Sequence, residues 1–180
     1  MDILGIDQSL TMSGLARISG DLVVTDRVGT VPTGKGLADT RQRIRYIVAR
    51  ALKFAPAECL TVIEAPISPA HNAGAVLERA WLFGLLVDQL LIRGPVVQVW
   101  PSTRAMYATG NGNAKKPEVL AAMRAQFPFV VIADDNAADA LALACMGARY
   151  LGSPIDGPIT KKRQQAMTST VWPDSNRSSN

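Results

Sequence analysis

Ile3-Leu-Gly-Ile-Asp7 is a short apolar run that ends in an acidic residue, a pattern that predicts a buried β-strand closed by Asp7. Two β-rich segments follow, residues 14–18 and 22–31, and the Ser19-Gly20 pair between them is typical of a hairpin turn. The start of the chain therefore predicts a β-meander whose first strand places Asp7 at its carboxyl end.

Helices and short buried strands alternate along the rest of the chain. The predicted helices cover residues 37–54, 73–92, 102–107, 116–126 and 134–151, the predicted strands cover residues 60–63 and 96–99, and residues 128–132 are β-like. This order predicts one α/β domain over residues 1–152, with a mixed five-stranded sheet flanked by helices. Residues 153–180 are rich in Pro, Ser, Gln and Asn and include a basic triplet, so we expect a flexible basic tail.

The composition is that of a globular protein. With 180 residues, 48% of them hydrophobic and 19% charged, the chain is not wholly disordered, collagen-like or disulfide-stapled. Cys59 and Cys145 have apolar neighbours and no second cysteine at metal-binding spacing, so both are expected to be buried thiols in a reducing cytoplasm. Neither a signal peptide nor an apolar run near the ~20 residues that a bilayer requires is found, so we expect a cytoplasmic protein without a membrane partner. The net charge of +4 agrees with an anionic partner but is common among enzymes.

Two predicted helices have surface faces that indicate what the protein could bind. The helix over residues 37–54 has its basic residues mostly off the apolar stripe, which favours a solvated face and leaves a nucleic-acid-facing side as the alternative. The helix over residues 73–92 is apolar nearly all round, whereas a helix that covers one sheet needs only one apolar stripe. We therefore expect its second face to contact a partner subunit. The residues expected at this interface are Val76, Leu77, Trp81 and Leu85.

The acidic residues stand where a sheet would bring them together. Asp7 and Glu64 each close a predicted strand, and the rim of an open α/β sheet is where ligands bind. Asp134, Asp135 and Asp139 open the last predicted helix, and the last two share one helix face. If carboxylates converge, each pair ~4 Å apart costs about 4 kcal/mol at an effective dielectric near 20, so protons or divalent cations must neutralise them. Oxygen ligands favour Mg²⁺ or Mn²⁺, and two such ions can drive phosphodiester cleavage.

Each acid also has a purely structural explanation. Asp7 can cap the turn that follows it, Glu64 can pair with a basic residue, and Asp139 can be a plain exposed helix residue. Asp134 and Asp135 stand at a helix start, where side-chain oxygens and the helix dipole favour acids, and for Asp134 this explanation is preferred. The joint pattern is harder to explain structurally than any single residue.

Three acid-bearing segments follow one another over roughly residues 1–150. They are Ile3-Leu-Gly-Ile-Asp7 with Ser9 and Gly14, Val62-Ile-Glu64 with Asn72-Ala73 and Gly84, and Asn136-Ala-Ala-Asp139-Ala-Leu-Ala-Leu-Ala144. Their order and spacing resemble the RuvC family of Holliday junction resolvases. The resemblance implies a ribonuclease-H-like fold, a homodimer, and nicking of four-way DNA junctions that depends on Mg²⁺ or Mn²⁺ and on no nucleotide cofactor. It also agrees with a bacterial or bacteriophage origin.

The resemblance assigns catalysis and metal binding to Asp7, Glu64 and Asp139. The first acid of the family's closing motif falls on Asn136, which can bind a metal through its amide oxygen but brings no charge. Asp135, one residue earlier and on the same face as Asp139, is therefore an alternative fourth catalytic acid and metal ligand.

The resemblance also implies contacts with DNA. Lys115 and Lys116 stand where the family carries basic residues near the scissile phosphate, and a solvated loop is the alternative explanation for them. Arg104 is expected to contact DNA as well. Ile67 stands at about the position where the family often has an aromatic residue that wedges into the junction centre. An isoleucine there would unstack bases only weakly.

Two other functions match parts of the pattern. Gly5-Ile-Asp7-Gln-Ser resembles the first phosphate loop of actin-like sugar kinases, but those enzymes need two large domains, which 180 residues do not supply. A non-catalytic module that binds branched DNA is the other alternative, in which Asn136 marks a lost catalytic site. Within the nuclease hypothesis the branch preference stays open, because flaps, forks and three-way branches share the backbone geometry of a junction.

Overall fold

A computed structural model describes residues 1–66 and 73–173 of the chain. The strands are β1 (Asp2–Asp7), β2 (Met12–Ser19), β3 (Leu22–Gly29), β4 (Cys59–Glu64) and β5 (Val96–Val99). The helices are α1 (Leu37–Phe54), α2 (Ala73–Leu91), α3 (Pro101–Thr109), α4 (Lys116–Gln126), α5 (Asp135–Tyr150) and α6 (Lys161–Thr168). The sheet order is β3-β2-β1-β4-β5, with β1, β4 and β5 parallel and the β1–β2 and β2–β3 pairs antiparallel. The predicted α/β architecture with a mixed five-stranded sheet is confirmed.

Each face of the sheet is covered by its own set of helices. Side chains alternate between the faces along β1, so that Ile3 belongs to one core and Leu4 to the other. The first core is completed by apolar side chains of α3, α4, α5 and α6, and the second by those of α1 and α2. A side chain at the end of a strand therefore faces a particular set of helices.

Helix α5 lies directly against β1 and β2 because two glycines leave room for its backbone. A Cβ atom at Gly5 would lie 2.0 Å from the carbonyl oxygen of Ala140, and one at Gly14 would lie 1.9 Å from the carbonyl oxygen of Asn136. Real side chains do not tolerate such distances, so only glycine permits this contact at either position. The first turns of α5 are thus held at a fixed place beside the carboxyl end of β1.

The β-like stretch predicted at residues 128–132 is wrong, because this segment forms a turn and irregular backbone. Phe129 is 99% exposed and Val131 is 83% exposed, whereas Ile132 is buried, so only part of the apolar stretch packs on the core. The carbonyl oxygens that a neighbouring strand would use are taken by side chains instead: Arg124 donates to Ile132 and Thr25 donates to Val131. Apolar composition without a sheet edge to pair with does not make a strand.

The prediction of a flexible tail from residue 153 onward is wrong for residues 161–168, which form α6. Thr160 caps this helix by accepting a hydrogen bond from the backbone N–H of Arg163. Ala166 is fully buried, and farther along the chain the ring of Trp172 stacks on that of Tyr150 with 4.6 Å between centroids. The segment packs on the rest of the domain despite its polar composition.

A buried ionic cluster, here called the tail cluster, explains this packing. It consists of Asp156, Arg149, Arg163 and Tyr107. Arg149 and the Tyr107 hydroxyl both donate to the carboxylate of Asp156, and Arg163 donates to its backbone carbonyl at 2.6 Å. The polar residues of the tail satisfy one another inside the domain, a possibility that composition alone does not reveal.

Helix α2 keeps apolar surface after its core face is buried. Leu82, Leu86 and Leu90 are fully buried on that face. Of the four residues predicted at a subunit interface, Leu77 is 72% exposed and the other three are half-buried. A contact with a second subunit stays a prediction.

No helix within residues 1–66 and 73–173 combines the length and apolarity that crossing a membrane requires.

Candidate active site

The carboxyl ends of β1 and β4 place two carboxylates on neighbouring strands. The parallel register pairs Ile6 with Ile63, so Asp7 and Glu64 are the next residues on the two strands. Glu64 points to the same side of the sheet as Val62, which packs in the core beneath α5. Asp7 is only 7% exposed. The sheet therefore directs both acids toward the helices of one face.

Helix α5 brings a third carboxylate to the same place. Asp139 is 1% exposed, so the alternative explanation that it is a plain exposed helix residue is wrong. Its charge, like that of Glu64, acts directly on the Asp7 carboxyl. Three acids from distant parts of the sequence are thus brought together, as the joint pattern of acids predicted.

A buried arginine lies between two of these acids. Arg104 of α3 is 6% exposed, and its Nε donates to the Oε2 of Glu64 at 2.6 Å. Its Nη1 donates to the Oδ1 of Asp139. Asp7, Glu64, Asp139 and Arg104 are here called the acidic cluster. The alternative that Glu64 pairs with a basic residue holds in this structure, in combination with the clustering of acids rather than in place of it.

The electrostatics of the acidic cluster favour protons on the carboxyls of Asp7 and Asp139. Burial raises the pKa of Asp7 well above its usual value, and the charges of Glu64 and Asp139 raise it further. Burial raises the pKa of Asp139 to about 7, although Arg104 acts in the opposite direction. When all three carboxyls are ionised, the single guanidinium of Arg104 neutralises only one of them, and the cluster carries an excess of negative charge.

The rim of the site carries a second, more exposed pair of charges. Lys116 at the start of α4 donates to the carboxylate of Asp135 at 2.6 Å and lies 3.4 Å from the amide oxygen of Asn136. Burial lowers the pKa of Lys116, but the bond to Asp135 and nearby acids raise it more, so the net shift is upward. Both candidates for the fourth ligand therefore share one lysine at the rim.

Asp134 has the helix-capping role that the sequence favoured for it. Its side chain accepts a hydrogen bond from the backbone N–H of Ala137 at 3.0 Å. Arg27 of β3 donates to its second oxygen at 2.9 Å. The Asp134 carboxylate thus fixes the start of α5 and ties it to the sheet.

An open cleft of about 430 Å³ borders the acidic cluster. Its lining is mostly polar and combines the strand-end acids with residues of the β1–β2 turn, α2, α4 and α5. The lining residues are Asp7, Gln8, Ser9, Thr11, Met12, Glu64, Ala65, Arg79, Lys116 and Asn136. A ligand in this cleft would reach Asp7 and Glu64 from solvent.

The oxygen donors of the acids are of the chemical kind that a divalent cation binds. Among the described residues, the Oδ2 of Asp139 is buried and has no hydrogen-bond partner, which is costly unless a cation or proton joins it. Carboxylate oxygens are the donors that Mg²⁺ and Mn²⁺ prefer. In the arrangement seen, no three Asp, Glu, His or Cys side chains of residues 1–66 and 73–173 are placed to hold one ion, and Arg104 takes the space between Glu64 and Asp139.

The residues predicted to contact DNA differ in how exposed their side chains are. The guanidinium of Arg104 is buried and engaged by two carboxylates, and its contact with DNA stays a prediction. The side chain of Lys116 is 58% exposed, and Lys115 is also exposed, so both can be reached from outside. Ile67 lies outside the described residues.

Gln8 and Arg79 are among the cleft residues that were not predicted. Gln8 is buried, and among the described residues its Oε1 has no hydrogen-bond partner. Arg79 lines the cleft from α2. The sequence carried a signal for each: Gln8 directly follows Asp7, and Arg79 is the single basic residue of the largely apolar helix α2.

Comparisons with known proteins give a consistent picture of the fold. No protein-family model and no curated protein matches the chain. The structure of RuvC from Thermus thermophilus is similar to 85% of this chain and 98% of its own, with a TM-score of 0.62 and 22% sequence identity. The same protein in complex with a Holliday junction substrate is similar to 85% of this chain and 97% of its own, with a TM-score of 0.63 and 20% identity. The chain therefore has a RuvC-like, ribonuclease-H-like fold.

Proposed function

We propose that this protein is a metal-dependent, structure-specific endonuclease that resolves four-way DNA junctions, and other branched DNA, by paired nicking. The observation that carries the proposal is the meeting of Asp7, Glu64 and Asp139 beside an open polar cleft. The similarity in fold to a protein solved with a Holliday junction substrate supports the choice of DNA substrate.

Asp7, Glu64 and Asp139 would hold Mg²⁺ or Mn²⁺, with Asp135 or Asn136 as a further ligand. Ions bound there would lower the pKa of the attacking water and stabilise the leaving 3′ oxygen. The strand ends and the closely packed α5 hold the three carboxylates near one another before substrate arrives, and placing Glu64 and Asp139 on one ion would still require a bond to Arg104 to break.

The rim lysines would position the DNA backbone. The Lys116 ammonium lies at the mouth of the cleft and can exchange its contact with Asp135 for a phosphate oxygen. Lys115, which is also exposed, would add to the positive potential felt by the backbone. Such contacts bind the strand near the acids and neutralise charge that develops on the phosphate.

The apolar second face of α2 would form a two-fold dimer interface. Two equivalent sites related by a two-fold axis match the near two-fold symmetry of a four-way junction. We expect Leu77→Glu to convert the dimer to a monomer, because its side chain is 72% exposed and outside the core. Sedimentation velocity would measure this, and Leu22→Glu on β3, which is 52% exposed, is the control. A monomeric wild-type protein would contradict the dimer.

A cleavage assay tests the nuclease itself. A mobile four-way junction, a flap and a plain duplex are incubated with Mg²⁺, Mn²⁺ or EDTA. We expect paired nicks in opposite arms of the junction, and we expect Asp7→Asn to lower their rate at least about 1,000-fold, because a ligand carboxylate is lost. Junction binding in a gel-shift assay should persist, since Asp7 offers no positive charge to phosphates.

The control is Asp21→Asn in the exposed β2–β3 turn, which should cleave like the wild type. Full-rate cleavage by the Asp7→Asn variant would contradict the assignment of the site.

A non-catalytic module that binds branched DNA is the second candidate. Two observations favour it: Arg104 occupies space among the acids, and Asn136 stands where the resemblance expects an acid. This candidate predicts tight junction binding with no nicks at any concentration of Mg²⁺ or Mn²⁺, so the same assay separates the two functions.

A further inference from the structure

Arg104 reaches the acids from an element that carries none of them. It lies in α3, whereas Glu64 ends β4 and Asp139 belongs to α5. Its guanidinium donates to one oxygen of each, through Nε at 2.6 Å to Glu64 and through Nη1 to Asp139. The side chains of Arg104 and Glu64 are 8% and 13% exposed, and that of Asp139 is 1% exposed. This is a buried bridge between the two sides of the site.

The bridge neutralises only part of the negative charge around it. Asp7, Glu64 and Asp139 are three carboxylates, and Arg104 supplies one positive charge among them. A second cation that acts on Asp7, Lys116, is already paired with Asp135 at the rim. The Oδ2 of Asp139 stays buried and, among the described residues, without a donor. The site therefore retains the charge to attract a second cation while Arg104 is in place.

The guanidinium and a metal ion cannot use the same carboxylate oxygens at once. A metal ion binds a carboxylate through the same lone pairs that accept the hydrogen bonds of Arg104. Two cations close together in a buried site also repel each other strongly. To bring Glu64 and Asp139 onto one ion, at least one of the two Arg104 bonds has to break.

We infer that Arg104 is a built-in counter-cation that keeps the carboxylates assembled in the metal-free protein and is displaced from Glu64 or Asp139 when a divalent ion binds. Arg104 is then a positioning residue whose hold on the acids sets the metal affinity of the site. The inference rests on the proposed function only in taking a divalent cation as the ligand of these carboxylates, and its test does not require DNA cleavage.

Arg104→Met tests this competition directly. The variant keeps much of the side-chain volume and removes the charge. We expect Mn²⁺, measured by isothermal titration calorimetry on the full chain, to bind at least about tenfold more tightly, because the competing cation is gone. We also expect the metal-free variant to unfold at a lower temperature, since its buried carboxylates lose their partner, and to gain more from Mn²⁺ than the wild type gains.

Arg93→Met is the matched control. Arg93 also binds partly buried acceptors, the carbonyl oxygens of Ala55 and Pro56, but takes no part in the acidic cluster. Its loss should lower the unfolding temperature and leave the Mn²⁺ affinity unchanged. The inference would be overturned if Arg104→Met bound Mn²⁺ no more tightly than the wild type does, or did not bind it at all. A merely structural arginine, or one that assists metal binding, gives those results.

A measurement on the wild type avoids any folding defect of the variant. The Nε–Hε resonance of Arg104, assigned by its absence in Arg104→Lys, reports the bond to Glu64 in ¹⁵N NMR spectra. Titration with Mg²⁺ should shift this signal and speed its exchange with water, while that of Arg163, whose Nε donates to the Tyr107 carbonyl, should not change. An unchanged Arg104 signal at saturating Mg²⁺ would overturn the displacement even if Asp7→Asn abolishes cleavage. Conversely, retained cleavage by Asp7→Asn would leave a measured displacement standing.

Discussion

The acidic cluster and the tail cluster are both buried and ionic, but their charges are balanced differently. In the tail cluster, two arginines and a tyrosine hydroxyl surround one carboxylate, and both oxygens of Asp156 have donors. In the acidic cluster, three carboxylates share one arginine, and one oxygen of Asp139 has no donor among the described residues. The same residue types thus build one satisfied network and one unsatisfied network in a single domain.

This difference separates a structural role from a functional one. A buried ion pair with every polar atom bonded is costly to break, because the remaining partner is left uncompensated. A buried group of like charges is costly to keep, and such sites are commonly retained for binding or catalysis. The tail cluster is therefore expected to serve stability, and the acidic cluster to serve the ligand that completes it.

The largest expected effect on folding comes from the tail cluster. Asp156→Asn removes the charge that both arginines face, so we expect a loss of about 3 kcal/mol in the free energy of unfolding. Urea denaturation measures this loss. The same carboxyl-to-amide change at Asp7 should leave the stability equal or higher, because it removes one of several repelling acids. Equal losses from both substitutions would remove the distinction between the clusters.

A smaller effect is expected at the exposed edge of the acidic cluster. Lys116→Met should lower junction cleavage about 10- to 100-fold and weaken the dependence of junction binding on salt concentration. Cleavage rates and gel shifts at several salt concentrations measure both. Lys115→Met is the matched control, since Lys115 lacks the contact that Lys116 makes with Asp135, and a smaller effect is expected. Equal effects would indicate a general electrostatic role for the loop.

The smallest expected effect is a dependence of stability on pH. The pKa of Asp139 is about 7 in the folded protein, above the ~3.9 of an unfolded chain. Between these values the folded protein binds more protons than the unfolded chain, so this contribution to stability is full at low pH and is lost as the pH rises toward 7. In EDTA, the unfolding temperature should fall by about 3 °C or more between pH 5.5 and 7.5.

Variants assign this pH dependence to one cluster. Asp7→Asn should reduce the slope, because it removes a second carboxyl whose pKa is raised in the folded protein. Asp156→Asn should keep the slope of the wild type while lowering every unfolding temperature. An unfolding temperature that rises over this range would contradict the electrostatic description of the acidic cluster.

Much of the site was predictable because strand ends and helix faces follow from short-range patterns. Asp7 and Glu64 were placed at a sheet edge by the apolar runs before them, and Asp139 by its spacing within a helix. The capping role of Asp134 followed from the preference of helix starts for acidic side chains. In each case the residue's position on its element determined where its side chain would go.

The direction of Arg104 was not predictable in the same way. The sequence places it in a short helix after β5, and an arginine there can equally reach solvent or turn inward. Its inward course depends on Glu64 and Asp139, which are 40 and 35 residues away in the chain. The order of α6 escaped prediction for a related reason, since the bonds that hold it join residues of three separate helices and one loop.

The contact of α5 with Gly5 and Gly14 has a consequence for how the protein can vary. At these two sites even a methyl group would push on the backbone of the helix that carries Asn136 and Asp139. A substitution at either glycine, neither of which takes part in the chemistry, would thereby displace a carboxylate at the sheet edge. The spacing of the acids is therefore set in part by two residues that have no side chains at all.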